Sequence, residues 1–134
     1  MKAISCIIVS VILFSCGNKS AISEKLSGSD SLVITFNVPD SDSVIHTVSS
    51  TEKKAIRKLS GFLDGKESKL YKCGFDGNLG FYKQGQMLMP VIFRYNDSGC
   101  HVFMYEIDNK VMSIKMSNEA VIFLKSLAEG KSSY

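Results

Sequence analysis

The sequence predicts an α+β domain in which a mostly antiparallel sheet packs against two helices. Three observations predict this fold. Apolar and polar residues alternate from residue 32 to 38, four strand-like runs separated by short turns follow between residues 79 and 116, and two further segments have apolar residues at helical spacing. The sheet is therefore expected to combine an N-terminal hairpin with a C-terminal four-stranded meander.

The hairpin and the first helix are predicted between residues 32 and 65. Alternate residues from Leu32 to Val38 are apolar, residues 39–43 are turn formers, and Val44 to Val48 is the return strand. Ser49 and Glu52 stand at the spacing of a capping box, and Gly65 is a natural C-terminal stop. The apolar stripe of this helix is Ile56, Leu59, Phe62 and Leu63. Residues 70–75 are compatible with either a loop or a short strand.

The meander and the last helix are predicted between residues 79 and 130. The strand-like runs are 79–83, 87–95, 100–107 and 110–116, and a two-residue turn, Asp108-Asn109, joins the last two. Ser117 is expected to cap the final helix and Gly130 to end it. Its apolar stripe is Ala120, Phe123, Leu124 and Leu127.

Two strands of the meander are apolar on both faces, which is unusual for a sheet with one solvated face. Either helices and hairpin cover opposite faces, which is the default, or one face is an exposed apolar surface. Pro90 cannot donate a ladder hydrogen bond, so its strand is expected to be an edge or to be bulged there. Five methionines fall between residues 87 and 116, either as core filler or as an adaptable binding patch. The candidate interaction surface is Met87, Met89, Phe93, Phe103 and Tyr105.

The first sixteen residues, MKAISCIIVSVILFSC, indicate export. Lys2 precedes an apolar run of about twelve residues, which is too short to span a bilayer of about 30 Å as a helix. The ending Leu13-Phe14-Ser15-Cys16 resembles a bacterial lipobox. That resemblance implies cleavage before Cys16, lipidation of its thiol, and a lipid-anchored place in the cell envelope. The alternatives are an ordinary secretory peptide and a failed transmembrane helix.

The predicted domain organisation follows from this cleavage site. Residues 1–15 are the signal peptide, 16–31 the lipidated Cys and a Ser- and Gly-rich flexible tether, 32–130 a single domain, and 131–134 a tail. The alternative for the tether is a first helical turn around Ile22 and Leu26. Removing residues 1–15 leaves about +2 of net charge, too little to indicate an anionic partner, and export makes nucleic acid implausible.

No motif of catalysis or cofactor binding is found. Cys100-His101 and His46 lack the close pairs typical of zinc sites, and adjacent strand residues point to opposite faces, so His101 cannot activate Cys100. The glycines at 74, 77 and 80 lack the Lys-Ser/Thr of a phosphate loop. We therefore expect no enzyme, no metal and no cofactor.

Cys73 and Cys100 are predicted to form a disulfide. They are the two cysteines that remain once Cys6 is cleaved away and Cys16 is lipidated, and an exported chain meets oxidants. In an up-and-down meander they lie at the same end of the sheet. Closing this loop would contribute roughly 3–4 kcal/mol to stability. The alternative is two separate buried thiols.

Residues 70–77, LYKCGFDG, are similar to the Y-x-C opening of small periplasmic lysozyme-inhibitor lipoproteins, but that family's inhibitory Ser-Gly loop and Trp-Thr-Lys strand are missing. The domain also resembles the small lipoproteins of uncharacterised activity in Bacteroidetes-type bacteria. The expected function is a non-catalytic envelope lipoprotein that binds a protein or an envelope component. The alternatives are an inhibitor or immunity protein against a hydrolase or toxin, and a small-ligand carrier.

Overall fold

The computed structural model describes residues 20–131, and Cys16, its lipobox and the last three residues lie outside this range. The described chain forms three helices and one six-stranded antiparallel sheet, which confirms the predicted α+β class. The helices are α1 (Ala21–Leu26), α2 (Lys53–Phe62) and α3 (Asn118–Ala128). The strands are β1 (Ser31–Asn37), β2 (Val44–Ser50), β3 (Gly77–Lys83), β4 (Gln86–Arg94), β5 (Val102–Ile107) and β6 (Lys110–Lys115).

The hairpin and the meander join into a single sheet of order β2-β1-β3-β4-β5-β6, because β1 pairs with β3. Two tight turns set the register of the meander. Gln84 and Gly85 between β3 and β4, and Asp108 and Asn109 between β5 and β6, all have positive φ, as two-residue turns between twisted strands require. The hairpin therefore extends the sheet and does not cover its second face.

Pro90 lies in β4, which is an interior strand, so the prediction of an edge strand is wrong. Pro90 pairs with Gly80 on β3, but pairing between β4 and β5 begins only at Val91. Since β5 has not yet joined the ladder, the missing N–H of proline is tolerated there. The irregularity in β4 is at Leu88, two residues before Pro90, because Phe81 pairs with Met89 and Tyr82 pairs with Met87.

All three helices pack on one side of the sheet, called here the inner face. The inner-face strand residues alternate, so that Leu32, Leu79, Val91 and Phe103 belong to the core together with helix residues such as Leu124. The apolar stripes predicted from the sequence for α2 and α3 supply most of the helix residues in the core. Ser117 caps α3 by accepting a hydrogen bond from the Ala120 N–H at 3.2 Å, as predicted.

Helix α1 corrects the prediction of a flexible tether through residue 31. Ser20 accepts from the Ser23 N–H at 3.1 Å and donates to Asp64, and this caps the helix. Ile22 and Leu26, one turn apart, are buried in the core. Among the described residues the domain therefore begins at Ser20 rather than at Leu32. The helix is the alternative that Ile22 and Leu26 indicated in the sequence, and it prevails over the tether suggested by the Ser-rich composition.

The start of α2 also differs from the prediction. Ser49 and Ser50 belong to β2, where Ser50 pairs with Leu32, so strand pairing prevails over the capping-box spacing. Glu52 is the N-cap residue and makes no side-chain capping bond. The helix ends at Phe62, three residues before the predicted stop at Gly65. The Gly65 backbone lies against the carbonyl of Lys115, where a side chain would collide at 2.8 Å.

After α2 the chain passes around the β6 edge and returns over the opposite side of the sheet, called here the outer face. Residues 66–68 pair with β6, since the Lys115 N–H donates to Lys66 and the Ser68 N–H donates to Ser113, at 2.8 and 2.7 Å. Residues 69–76 then lead to β3, and we call residues 66–76 the return crossing. It is a loop apart from an isolated bridge at Glu67. Within residues 20–131 no helix is long and apolar enough to cross a membrane.

Candidate binding surfaces

The outer face carries no helix, and its side chains stand in rows across the strands. One row runs in register through Thr35, Asn78, Ile92, Met104 and Ser113. The neighbouring row contains Val33, Gly80 and Pro90. Ile92 is 37% exposed, and Val33 and Met104 are partly exposed. An apolar strip therefore crosses the middle of the outer face, which among the described residues is covered only towards β6, where the return crossing buries Ser113.

Tyr82 extends this strip over the backbone of β3. Atoms of its ring and hydroxyl lie within about 3 Å of the position that a side chain at Gly80 would take, so the ring lies flat across that glycine. Exposed charged side chains, Glu106 and Lys115, stand on the outer face near the ends of β5 and β6. An apolar centre with a charged margin is the usual composition of a protein-binding surface.

The predicted interaction surface does not coincide with this strip. Met89, Phe93, Phe103 and Tyr105 are buried in the core beneath the helices, so their assignment to a surface is wrong, and Met87 alone of the five is exposed. The alternation in the sequence separated the two faces of each strand correctly. It did not show which face the helices cover, because both faces are apolar. The residues that this reasoning missed are Tyr82, Ile92 and Met104.

The return crossing is fixed to the sheet by a disulfide. Cys73 and Cys100 are joined, with their Cα atoms 5.7 Å apart, which confirms the predicted pair. The Ser113 hydroxyl donates to the Leu70 carbonyl at 2.7 Å, and Ser113 is fully buried by the crossing. Next to these anchors, the side chains of Leu70 and Tyr71 remain nearly half exposed between Lys69 and Lys72.

A carboxylate cluster holds the other end of the crossing. Asp76 is buried, and its Oδ2 accepts from the Tyr95 and Asn96 N–H groups at 2.8 and 2.9 Å. Its Oδ1 pairs with the Arg94 guanidinium at 3.2 Å, and the same guanidinium pairs with Asp40 at 3.3 Å. Its oxygens are occupied by backbone donors and by arginine, so Asp76 anchors the crossing to the end of β4.

The remaining chemical candidates do not come together. His46 lies on edge strand β2, where it stacks on Phe36, whereas Cys100 and His101 precede β5, four strands away. Four strand spacings amount to roughly 19 Å. Among residues 20–131 no group of three or more His, Cys, Asp or Glu side chains could hold a metal ion. Burial raises the pKa of Tyr95 and of Tyr105, so both phenols stay protonated at neutral pH.

A groove opens between α1 and α2 on the helical side of the molecule. It has a volume of about 410 Å³ and is lined by Ser23, Leu26, Ser27, Ser29, Lys53, Ile56, Arg57 and Ser60. A second groove, of about 260 Å³, enters between α1 and the ends of β5 and β6. This second volume is below the range of about 300–1,000 Å³ typical of small-molecule sites.

Comparison of the chain with protein-family models, with curated proteins and with solved structures gives no match.

Proposed function

We propose that this protein is a lipid-anchored, non-catalytic protein of the cell envelope that binds another protein through the outer face of its sheet. The observation that carries the proposal is the apolar strip formed by Val33, Tyr82, Pro90, Ile92 and Met104. Positions on the solvent-facing side of an antiparallel sheet are normally occupied by polar residues, because that face is solvated. Contiguous exposed apolar area of this kind is typical of interaction sites.

A protein fits this face better than a small molecule does. The strip runs across neighbouring strands of the sheet, so it offers area and no enclosed cavity, whereas small ligands need concave sites. The partly exposed aromatic Tyr82 and the adaptable Met104 are residue types enriched in protein interfaces. The small-ligand carrier is less well supported, because the grooves of about 260 and 410 Å³ beside α1 are open at the surface and are not enclosed cavities between sheet and helices.

The lipid anchor is the second part of the proposal, and the lipobox-like residues Leu13 to Cys16 support it. Two or more acyl chains on Cys16 would give stable membrane residence. Metabolic labelling with a palmitate analogue should mark the protein, and Cys16→Ser should abolish the label while the domain stays folded. Persistence of the label in Cys16→Ser would exclude this anchor.

The binding face is tested by a photo-activated cross-linking residue placed at Ile92 and, as a control, at Ile122 of α3. Both isoleucines are exposed, but Ile122 lies on the helical side and is 69% exposed. We expect a discrete cross-linked product in cells from position 92 and none from position 122. Met104→Lys, which adds a charge to the adjacent strand, should remove the product. Equal products from both positions, or a product that survives Met104→Lys, would refute the outer face as the binding site.

An inhibitor or immunity protein is the second candidate, and the return crossing favours it. The crossing presents Leu70 and Tyr71 to solvent while the Cys73–Cys100 disulfide limits its motion. A rigid loop binds with less loss of conformational entropy than a mobile one, which is how loops that block a partner's cleft gain affinity. Loss of partner binding in Tyr71→Ala with Met104→Lys still binding would favour this candidate over the outer face.

A further inference from the structure

Helix α2 concentrates positive charge to an unusual degree. Its ten residues, KKAIRKLSGF, contain four of the chain's sixteen Lys and Arg residues and no acidic residue. Lys53, Lys54, Arg57 and Lys58 are all exposed. None of the four forms a salt bridge with a described residue; Lys58 lies over the ring of Phe123, with its Nζ 4.1 Å from the ring centroid.

This arrangement opposes the electrostatics of a helix. Lys53 and Lys54 occupy the first turn, where the helix dipole favours negative charge. Lys53 and Arg57, and likewise Lys54 and Lys58, are like charges at i and i+4, which destabilise a helix. Glu52 at the N-cap makes no side-chain capping bond to offset these effects. Local features that conflict with stability are expected where a function requires them.

The groove between α1 and α2 adds hydroxyl groups to this charge. Lys53 and Arg57 line it on one side, and Ser23, Ser27 and Ser29 line it on the other. The Arg57 Nε donates to the Lys53 carbonyl at 3.3 Å, which holds the guanidinium beside the groove. The Ser29 hydroxyl is shielded from solvent and has no hydrogen-bond partner in the described chain. The carboxylates closest in sequence, Glu24 and Glu52, are not among the groove residues.

We propose that the groove between α1 and α2, with Lys53 and Arg57 at its centre, binds the phosphate group of an anionic membrane lipid. The proposal rests on the proposed lipid anchor, because residues 17–19 are all that separates Cys16 from Ser20. Four Cα–Cα steps span at most about 14 Å, so a lipidated Cys16 keeps α1 next to the bilayer. Cations there are attracted to anionic headgroups. The outer face of the sheet then remains available for a protein partner.

The test uses the full protein purified from membranes and reconstituted into vesicles of phosphatidylcholine, with or without one part in three of phosphatidylglycerol. An amine-acylating reagent labels exposed lysines, and mass spectrometry measures the rate at each site. Lys53 reports on the groove, and Lys110, the first residue of β6, is the control site. In the anionic vesicles we expect Lys53 to react about fivefold more slowly, with Lys110 unchanged and with reversal at high salt.

Matched variants distinguish binding in the groove from a general effect of the protein's positive charge. Arg57→Glu should abolish the slowing at Lys53, whereas Lys110→Glu, the same kind of charge reversal away from the groove, should preserve it. Equal rates at Lys53 in both vesicles, or equal slowing at Lys53 and Lys110, would overturn the proposal. If inorganic phosphate at matched ionic strength slows Lys53 in the neutral vesicles, a free phosphate and not a lipid is the ligand, and the lipid assignment is overturned.

Flotation of the vesicles distinguishes this inference from the anchor. A protein that floats with neutral vesicles has its anchor, whatever happens at Lys53. A protein that floats only with anionic vesicles has the groove without the anchor, so the proposed function fails while the inference holds. Flotation with both vesicles and no slowing at Lys53 would support the lipid anchor and overturn the binding of lipid in the groove.

Discussion

Along β6, residues 66–68 pair with the outermost strand and a disulfide joins the return crossing to Cys100, just before β5, whereas β2 at the other edge pairs with β1 alone. β2 is also largely exposed, and its sequence VIHTVSS contains no charged residue and no proline. Sheet edges in natural proteins are normally protected by charges, prolines, bulges or covering segments. In the described chain, covering is confined to β6, and β2 has a single irregularity opposite the step from Phe36 to Asn37. The contrast places the additional backbone pairing and the covalent cross-link at the β6 edge, while the β2 edge has no further pairing segment in the described chain.

The largest expected effect tests the buried carboxylate that holds the crossing. Asp76→Ala removes the acceptor of two backbone N–H groups. It also leaves the partly buried Arg94 guanidinium with Asp40 as its remaining carboxylate partner. We expect a loss of about 3–5 kcal/mol in the free energy of unfolding, measured by urea denaturation. Asp42→Ala, in the exposed turn between β1 and β2, should change it by less than about 0.5 kcal/mol. Similar losses in both variants would mean that Asp76 is not a specific anchor.

The next effect tests the covalent closure of the β6 edge. Replacing Cys73 and Cys100 together by Ser opens a loop with a sequence separation of 27 residues. The chain-entropy model gives a loss of about 3.5 kcal/mol. Amide hydrogen exchange should accelerate in residues 66–76 and in β6, with β2 little changed relative to global unfolding. Uniform acceleration across both edges would show that the disulfide stabilises the whole domain and not this edge.

The smallest effect on stability tests the open edge. Ile45 of β2 is 65% exposed, so Ile45→Lys should change the free energy of unfolding by less than about 0.5 kcal/mol. A charge on an edge strand opposes pairing with another chain, so this variant should aggregate more slowly when the protein is concentrated. Light scattering measures the rate. Ile122→Lys adds the same charge to an exposed helix residue, and equal slowing by that variant would contradict a role for the β2 edge.

The sequence predicted the elements whose signals are local. The two-residue turn at Asp108 and Asn109 and the capped helix after Ser117 follow from turn chemistry and periodicity, and the disulfide followed from the small number of cysteines. What it could not predict depends on long-range pairing. Ser49 matched a capping box, but its strand is extended by pairing with β1, and this decided where α2 begins.

The binding surfaces show the same limit. The alternation in β4 assigned Met89 and Ile92 to opposite faces, yet both faces are apolar and the position of the helices decides which is exposed. The cationic groove was readable in part, because KKAIRK stands in the sequence, but the net charge of the chain conceals it. Of the serines that complete the groove, Ser23 comes from α1 and Ser27 and Ser29 follow it, in a segment that the Ser-rich composition predicted to be a tether.

The return crossing has a consequence for how the chain is assembled. Residues 69–76 lie on the outer side of β5 and β6 while α1 and α2 lie on the inner side, and all three segments precede these two strands in the chain; only α3 follows them. For a polypeptide that leaves a ribosome or a translocation channel N-terminus first, the β5–β6 hairpin is made after the segments that flank it on both faces and must be inserted between them. Cys73 must also remain reduced until Cys100 has arrived beside it. The domain therefore closes in a late, cooperative step, and a chain interrupted before β5 has neither its second sheet edge nor its cross-link.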